Sequence, residues 1–156
     1  MPLLEFHDRY PAQVECLTRA LLADRVAHAY LFTGDNPETL AAFSHAWLCA
    51  CACQQPTADG DACGACDNCR SLAAPTSPLH MVIRPKSKSR EIRVDDIHAL
   101  EDYLHMTTTG SIRLATILDA DRMNETTQNA FLKSLEEPTP NTLMVLLTAV
   151  PSQLLP

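Results

Sequence analysis

Residues 28–37 read His-Ala-Tyr-Leu-Phe-Thr-Gly-Asp-Asn-Pro, and the switch inside this stretch from an apolar run to turn residues decides the fold. His28 to Thr33 (HAYLFT) predicts a short buried core strand, and Gly34-Asp35-Asn36-Pro37 is the punctuation of a strand entering a loop. From Pro37 to Cys53 the chain predicts a helix, with Asn36 as cap, Pro37 at the first helical position, and Leu40, Phe43, Trp47 and Leu48 as the buried stripe. The same alternation returns downstream. His80–Arg84 (HMVIR) is followed by Val94–Met106, where Ile97, Leu100 and Leu104 recur at helical spacing behind Asp95 and Asp96. Arg113–Leu118 (RLATIL) is followed by a helix that Asn124 caps and Pro138 stops after Glu137, and Leu143–Thr148 (LMVLLT) closes the series. Upstream, Val14, Leu17 and Leu21 mark an amphipathic helix over Tyr10–Leu22. Apolar strands alternating with helices predict the α/β class, a parallel sheet covered on both faces with ligand sites at the strands' carboxyl ends.

The composition narrows the function. A chain of 156 residues, 46% hydrophobic, is long enough for one buried core. It contains no run near the ~18 consecutive apolar residues of a membrane span, and Met1-Pro2-Leu3-Leu4-Glu5 lacks the basic start of a secretory signal. A cytoplasmic protein with no membrane contact is the expectation. A formal net charge of −7 opposes DNA binding through bulk positive charge. The four glycines are Gly34, Gly60, Gly64 and Gly110, and no two stand five residues apart, as the phosphate-cradling G-x-x-x-x-G-K-[ST] pattern requires. The lysines are Lys86, Lys88 and Lys133, so the N-terminal half offers no ammonium to a nucleotide's terminal phosphates.

Residues 54–70 are rich in Cys, Asp, Gly and Gln without periodicity, and read as an inserted loop module. The chain has seven cysteines. An odd number without an export signal favours metal binding or redox chemistry over a disulfide framework. Cys63-x2-Cys66-x2-Cys69 supplies three soft ligands in a polar loop, and tetrahedral zinc needs a fourth from Cys49, Cys51 or Cys53. Cys53 is the choice, because it lies nearest the helix end and the loop, while Cys49 and Cys51 read as packed thiols on the helix. With four protein ligands no position remains for an activated water, so the Zn²⁺ is expected to be structural, in a module spanning residues 53–70.

Arg25-Val-Ala-His-Ala-Tyr-Leu-Phe-Thr-Gly34, the Cys53…Cys63-x2-Cys66-x2-Cys69 array and Asn129-Ala-Phe-Leu-Lys-Ser-Leu-Glu-Glu-Pro138 together resemble, in order and spacing, bacterial clamp-loader subunits of DNA polymerase III. The resemblance implies a three-layer, P-loop-NTPase-like (AAA+) sheet with an inserted four-cysteine zinc module. Two branches share these motifs, the ATP-hydrolysing gamma/tau motors and the delta-prime subunits, which resemble motors that have lost their nucleotide site. Here the loop Gly34-Asp35-Asn36-Pro37-Glu38-Thr39 lacks Gly-Lys-Thr and places two carboxylates where phosphates would sit. At the end of the third strand Asp119-Ala120 stands where the motors carry Asp-Glu.

The resemblance therefore points to the delta-prime branch: a non-catalytic stator of the polymerase holoenzyme, with no ATP bound, helping to load the sliding clamp on primed DNA. Its implied partners are the gamma/tau motors and the delta subunit, with primed DNA and clamp met indirectly. The alternative is an active gamma/tau-like ATPase with an atypical phosphate loop. A third reading is a redox-responsive zinc protein in which Cys49 or Cys51 attacks the cluster. The family's Ser-Arg-Cys motif, lid and collar are not in this sequence, so residues 1–156 read as an N-terminal piece of a longer protein. Ser77-Pro78-Leu79-His80 also departs from the family's His-Pro-Asp run.

Other features have plainer readings. The basic stretch Arg84, Lys86, Lys88, Arg90 and Arg93 has no interleaved aromatic residue for base stacking and reads as a solvated loop. Asp119 reads as a strand-end carboxylate, His28 and His80 as packing or turn residues, and Glu136-Glu137 as a solvated helix end.

Overall fold

Four parallel strands form one sheet in this computed structural model, which describes residues 1–86, 88–106 and 111–154. Gly110 and the terminal Leu155-Pro156 of the sequence reading lie outside the described residues. The strands are β1 (Ala29–Thr33), β2 (His80–Ile83), β3 (Arg113–Ile117) and β4 (Thr142–Thr148), in the spatial order β1-β4-β3-β2. The helices are α1 (Pro11–Leu22), α2 (Pro37–Ala52), α3 (Asp67–Ala73), α4 (Val94–His105) and α5 (Glu125–Glu136), with short 3-10 turns at Leu3–Phe6, Ala120–Arg122 and Pro151–Gln153.

The side-chain alternation of the central strands builds a core on each face. Leu143, Val145 and Leu147 of β4, with Leu114 of β3, meet Val14 and Leu17 of α1 and Phe43, Trp47 and Leu48 of α2. Met144 and Leu146, with Ala115 and Ile117, meet Ile97, Leu100 and Leu104 of α4 and Phe131 of α5. Each of these large side chains contributes about 1.5–3 kcal/mol when taken fully out of water, and every residue of β3 and β4 is buried. The expected three-layer α/β architecture is what the chain adopts.

The helix ends follow their local chemistry. The Asn36 side chain accepts the Thr39 N–H at 2.9 Å, and Asn124 does the same for Thr127 at 2.9 Å. Asp96 accepts the Arg93 N–H at 2.9 Å at the start of α4. Pro11 and Pro37 occupy first-turn positions, where a missing N–H costs nothing.

Two expectations differ from what the described residues show. Among them β1 pairs with β4 alone, and Leu31 is 48% exposed where the sequence predicts a buried strand. Residues 54–70 are also not all loop, because α3 begins at Asp67. It was hidden because seven residues are too few to show a helical period.

Candidate functional site

Two stretches carry the sequence-level site arguments, the cysteine module and the loop after β1. In the first, Cys53 caps the C-terminus of α2 and leaves it in extended conformation. Cys63, Gly64 and Ala65 turn back with Gly64 at φ +71°, in space that leaves its missing Cβ uncontacted. Cys66 is the N-cap of α3, and Cys69 lies in its first turn. Asn68 Nδ2 donates to the Ala52 carbonyl at 2.8 Å and ties α3 to the end of α2.

This geometry brings the sulfurs of Cys53, Cys63, Cys66 and Cys69 within 4.8 Å of one another, and Cys53 Sγ lies 4.0 Å from Cys66 Sγ. Tetrahedral zinc with ~2.3 Å bonds separates its sulfurs by about 3.8 Å, so the four thiols are close enough to hold one metal ion. Backbone donors surround them as in an outer coordination shell. The Cys63 N–H donates to Cys53 Sγ at 3.3 Å, the Ala65 and Cys66 N–H groups to Cys63 Sγ at 3.4 and 3.3 Å, and the Cys69 N–H to Cys66 Sγ at 3.5 Å.

Those donors favour thiolate over thiol. The Cys69 N–H leads in pulling Cys66 down to about 6, and the Ala65 N–H leads in lowering Cys63. Burial pushes Cys53 and Cys69 the other way. Bound metal would deprotonate all four, because its charge outweighs the cost of burying thiolate.

Cys49 and Cys51 are not in the cluster; both pack against the core beneath α2. Cys49 Sγ sits 3.5 Å from His45 Nε2, and burial pushes its pKa up to about 11 and that of Cys51 further still. A thiol held protonated is a poor nucleophile, which weighs against their attack on the cluster.

One residue of this module was missed in the sequence. Asp61 is only 4% exposed, and its carboxylate accepts the N–H groups of Leu3 at 3.0 Å, Leu4 at 2.8 Å and Ala62 at 2.7 Å. Its partners lie 58 and 57 positions away in the chain, so local pattern carries no sign of it.

The second stretch lies at the carboxyl end of β1. Gly34 N–H donates to the Thr148 carbonyl at 3.3 Å. Asn36 spends its side chain on capping α2, and a cavity of about 280 Å³ opens beside them. Its lining includes Tyr10, Gln13, Asp35, Asn36, Thr39 and Phe43, and among the described residues no lysine or arginine lines it. A dianionic phosphate here would meet the Asp35 carboxylate with no cation to offset it.

Across the sheet end, Asp119 takes a left-handed backbone (φ 49°) and accepts the Arg122 N–H on its carbonyl at 2.8 Å. Thr148 Oγ1 donates to the neighbouring Asp121 carboxylate and accepts the Val150 N–H at 2.9 Å. In the basic stretch, Lys86 pairs with Asp96 at 3.3 Å. His28 Nε2 contacts the Leu135 carbonyl oxygen at 3.0 Å, and His80 Nε2 contacts Thr116 Oγ1 at 2.8 Å.

The family described as "DNA polymerase III, delta subunit" matches residues 10–156, nearly the whole chain. The chain belongs to the DNA polymerase III delta-subunit family. Among similar members, the DNA polymerase III subunit delta' of Pseudomonas aeruginosa is 37% identical over 96% of this chain and 45% of its own length. That of Bacillus subtilis is 30% identical over 97% and 45%. The gamma/tau subunit of Mycobacterium tuberculosis is 35% identical over 90% of this chain and 24% of its own length.

The resemblance to the delta-prime branch is therefore borne out, and the chain spans a little under half the length of the delta' relatives just named. Among solved structures, a DNA polymerase III gamma subunit-related protein from Thermotoga maritima superposes with a TM-score of 0.62 at 23% identity, covering 91% of this chain and 41% of that one. It shares the fold. No helix among the described residues is long and apolar enough to cross a membrane.

Proposed function

We propose that this member of the DNA polymerase III delta-subunit family is the nucleotide-binding-fold domain of a delta-prime clamp-loader subunit, a stator that neither binds nor hydrolyses ATP. It acts through contacts with the gamma/tau motors and the delta subunit, meeting primed DNA and sliding clamp only indirectly, in the cytoplasm. The observation that carries this reading is the Gly34–Thr39 loop, which holds no lysine or arginine and has Asp35 among the residues lining the adjacent cavity. Similarity to subunits named delta' supports the same assignment.

Cys53, Cys63, Cys66 and Cys69 hold one structural Zn²⁺ in this reading. The ion's chemistry is to cross-link the end of α2, the intervening loop and the start of α3; the four thiols leave no open position for catalysis. Residues 1–156 form one nucleotide-binding-fold domain in this reading.

The test is calorimetric titration of Mg-ATP into the full-length protein, with zinc content measured on the same sample. No heat at millimolar nucleotide, with the fold intact, is the expected result. Saturable binding at micromolar ATP overturns the stator reading in favour of a motor with an atypical phosphate loop, the reading that the gamma/tau similarity would then support.

A further inference from the structure

The loop joining Cys53 to Cys63 does more than connect two ligands. Its last turn is closed by three bonds: Thr57 N–H to the Asp61 carbonyl at 2.9 Å, Gly60 N–H to the Thr57 carbonyl at 2.9 Å, and Asp61 N–H to Thr57 Oγ1 at 3.1 Å. Gly60 holds φ +82° there, and a Cβ on it would come 3.3 Å from Leu22 Cδ2, so the turn is seated against the end of α1. The turn aims the buried Asp61 carboxylate at the amides of Leu3 and Leu4. A carboxylate this far from water is tolerated only while such donors satisfy it.

What those amides anchor is the 3-10 turn Leu3–Phe6. Leu3 is 1% and Phe6 9% exposed, both in the core layer under α2. The Phe6 ring meets Phe43 edge-on at 5.2 Å, Tyr10 meets the same ring at 5.9 Å, and the Phe6 carbonyl accepts the Tyr10 N–H at 2.8 Å. Tyr10 and Phe43 line the cavity beside Gly34–Thr39. A continuous set of contacts thus runs from the cysteine cluster through Asp61 and the N-terminal turn to the wall of the degenerate phosphate site.

We propose that Asp61 makes docking of the N-terminal turn depend on metal occupancy. With an ion holding Cys53 and Cys63 together, the loop is closed and presents its carboxylate to Leu3 and Leu4. Without the ion, the chain entropy of closing the loop falls on the Cys63 N–H to Cys53 Sγ contact, the three bonds of the turn and the Asn68 tie, and the N-terminal turn is held less firmly against Phe43 and the cavity wall. The inference rests on the metal reading above and adds a conformational consequence to it.

The experiment is hydrogen exchange with mass spectrometry on the untagged full-length protein, with zinc measured in every sample. Three states are compared: zinc-loaded, chelated, and zinc-loaded Asp61→Asn. In the last two the Leu3 and Leu4 amides are expected to exchange at least about tenfold faster, the scale of a lost charge-assisted hydrogen bond, while peptides from β4 stay protected. If zinc binds and is removed without any change over residues 1–10, the coupling is overturned and the metal reading stands. A protein that never holds zinc overturns both. Should chelation expose β4 as well, Asp61→Asn decides alone: unchanged protection of Leu3 and Leu4 with zinc bound overturns the proposal.

Discussion

Acidification should destabilise this domain through its half-buried histidines, and for His80 the structure defines the amount. His80 opens β2 with its ring half-buried, in contact with Thr116 Oγ1 and 6.1 Å from the ring of His45. Burial first, and then the neighbouring His45 charge, lower its pKa to about 4. An unfolded histidine titrates near 6.5, so between those values the unfolded chain binds the extra proton and stability falls as pH falls. The contribution is complete above about pH 6.5 and gone below about pH 4. Between about pH 7 and pH 5 it amounts to roughly 2 kcal/mol, an upper figure because the ring keeps some contact with solvent.

His80→Gln isolates the effect: the amide can still meet Thr116 and stays neutral, while carboxylates and cluster thiols titrate alike in both proteins and cancel. Urea unfolding followed by Trp47 fluorescence should show the wild type losing roughly 2 kcal/mol more than the variant over that pH range. An NMR titration should show the His80 ring still neutral at about pH 5. Parallel stability curves, or a ring titrating near 6.5, would refute the reasoning.

Further outcomes follow from other contacts. Cys69→Ser should lower bound zinc from about one ion per chain to well below one, as read by elemental analysis. Gly60→Ala and Gly64→Ala both force a side chain into left-handed backbone at a cost of about 1–2 kcal/mol. Gly60→Ala should lose more in urea unfolding, because its new methyl also meets Leu22 at 3.3 Å. Leu100, fully buried on the inner face of α4, should cost about 2–5 kcal/mol as Leu100→Ala. Asn124→Ala removes the cap on Thr127 and should cost about 1 kcal/mol by the same measurement.

The elements that announced themselves in the sequence are those with strong local causes. Asn36-Pro37 and Asn124 start helices by chemistry within one turn, and the runs LMVLLT and RLATIL are apolar except at Arg113, Thr116 and Thr148, because both faces of β4 and β3 are covered. The cysteine triplet was equally legible, since its spacing is itself the geometry of a turn. What stayed hidden depends on distant partners. β1 reads like the central strands, and nothing local marks that among the described residues it pairs with β4 alone and leaves Leu31 half-exposed. Asp61 looks like any loop carboxylate until Leu3 and Leu4 arrive from the other end of the first core layer. The His45–His80 contact joins α2 to β2 across 35 positions that no periodicity spans.

The strand order also dictates a timetable for synthesis. Among the described residues β1 pairs with β4, and Ala29 lies opposite Met144, 115 positions further along the chain. At bacterial elongation rates β1 waits roughly 6 to 23 s after emerging before its partner exists. Residues 53–69 are complete long before that, and their mutual contacts are short in sequence. Capture of a metal by the cysteine module can therefore precede sheet closure on the ribosome, leaving the nascent chain with one ordered unit while its central layer is still unmade.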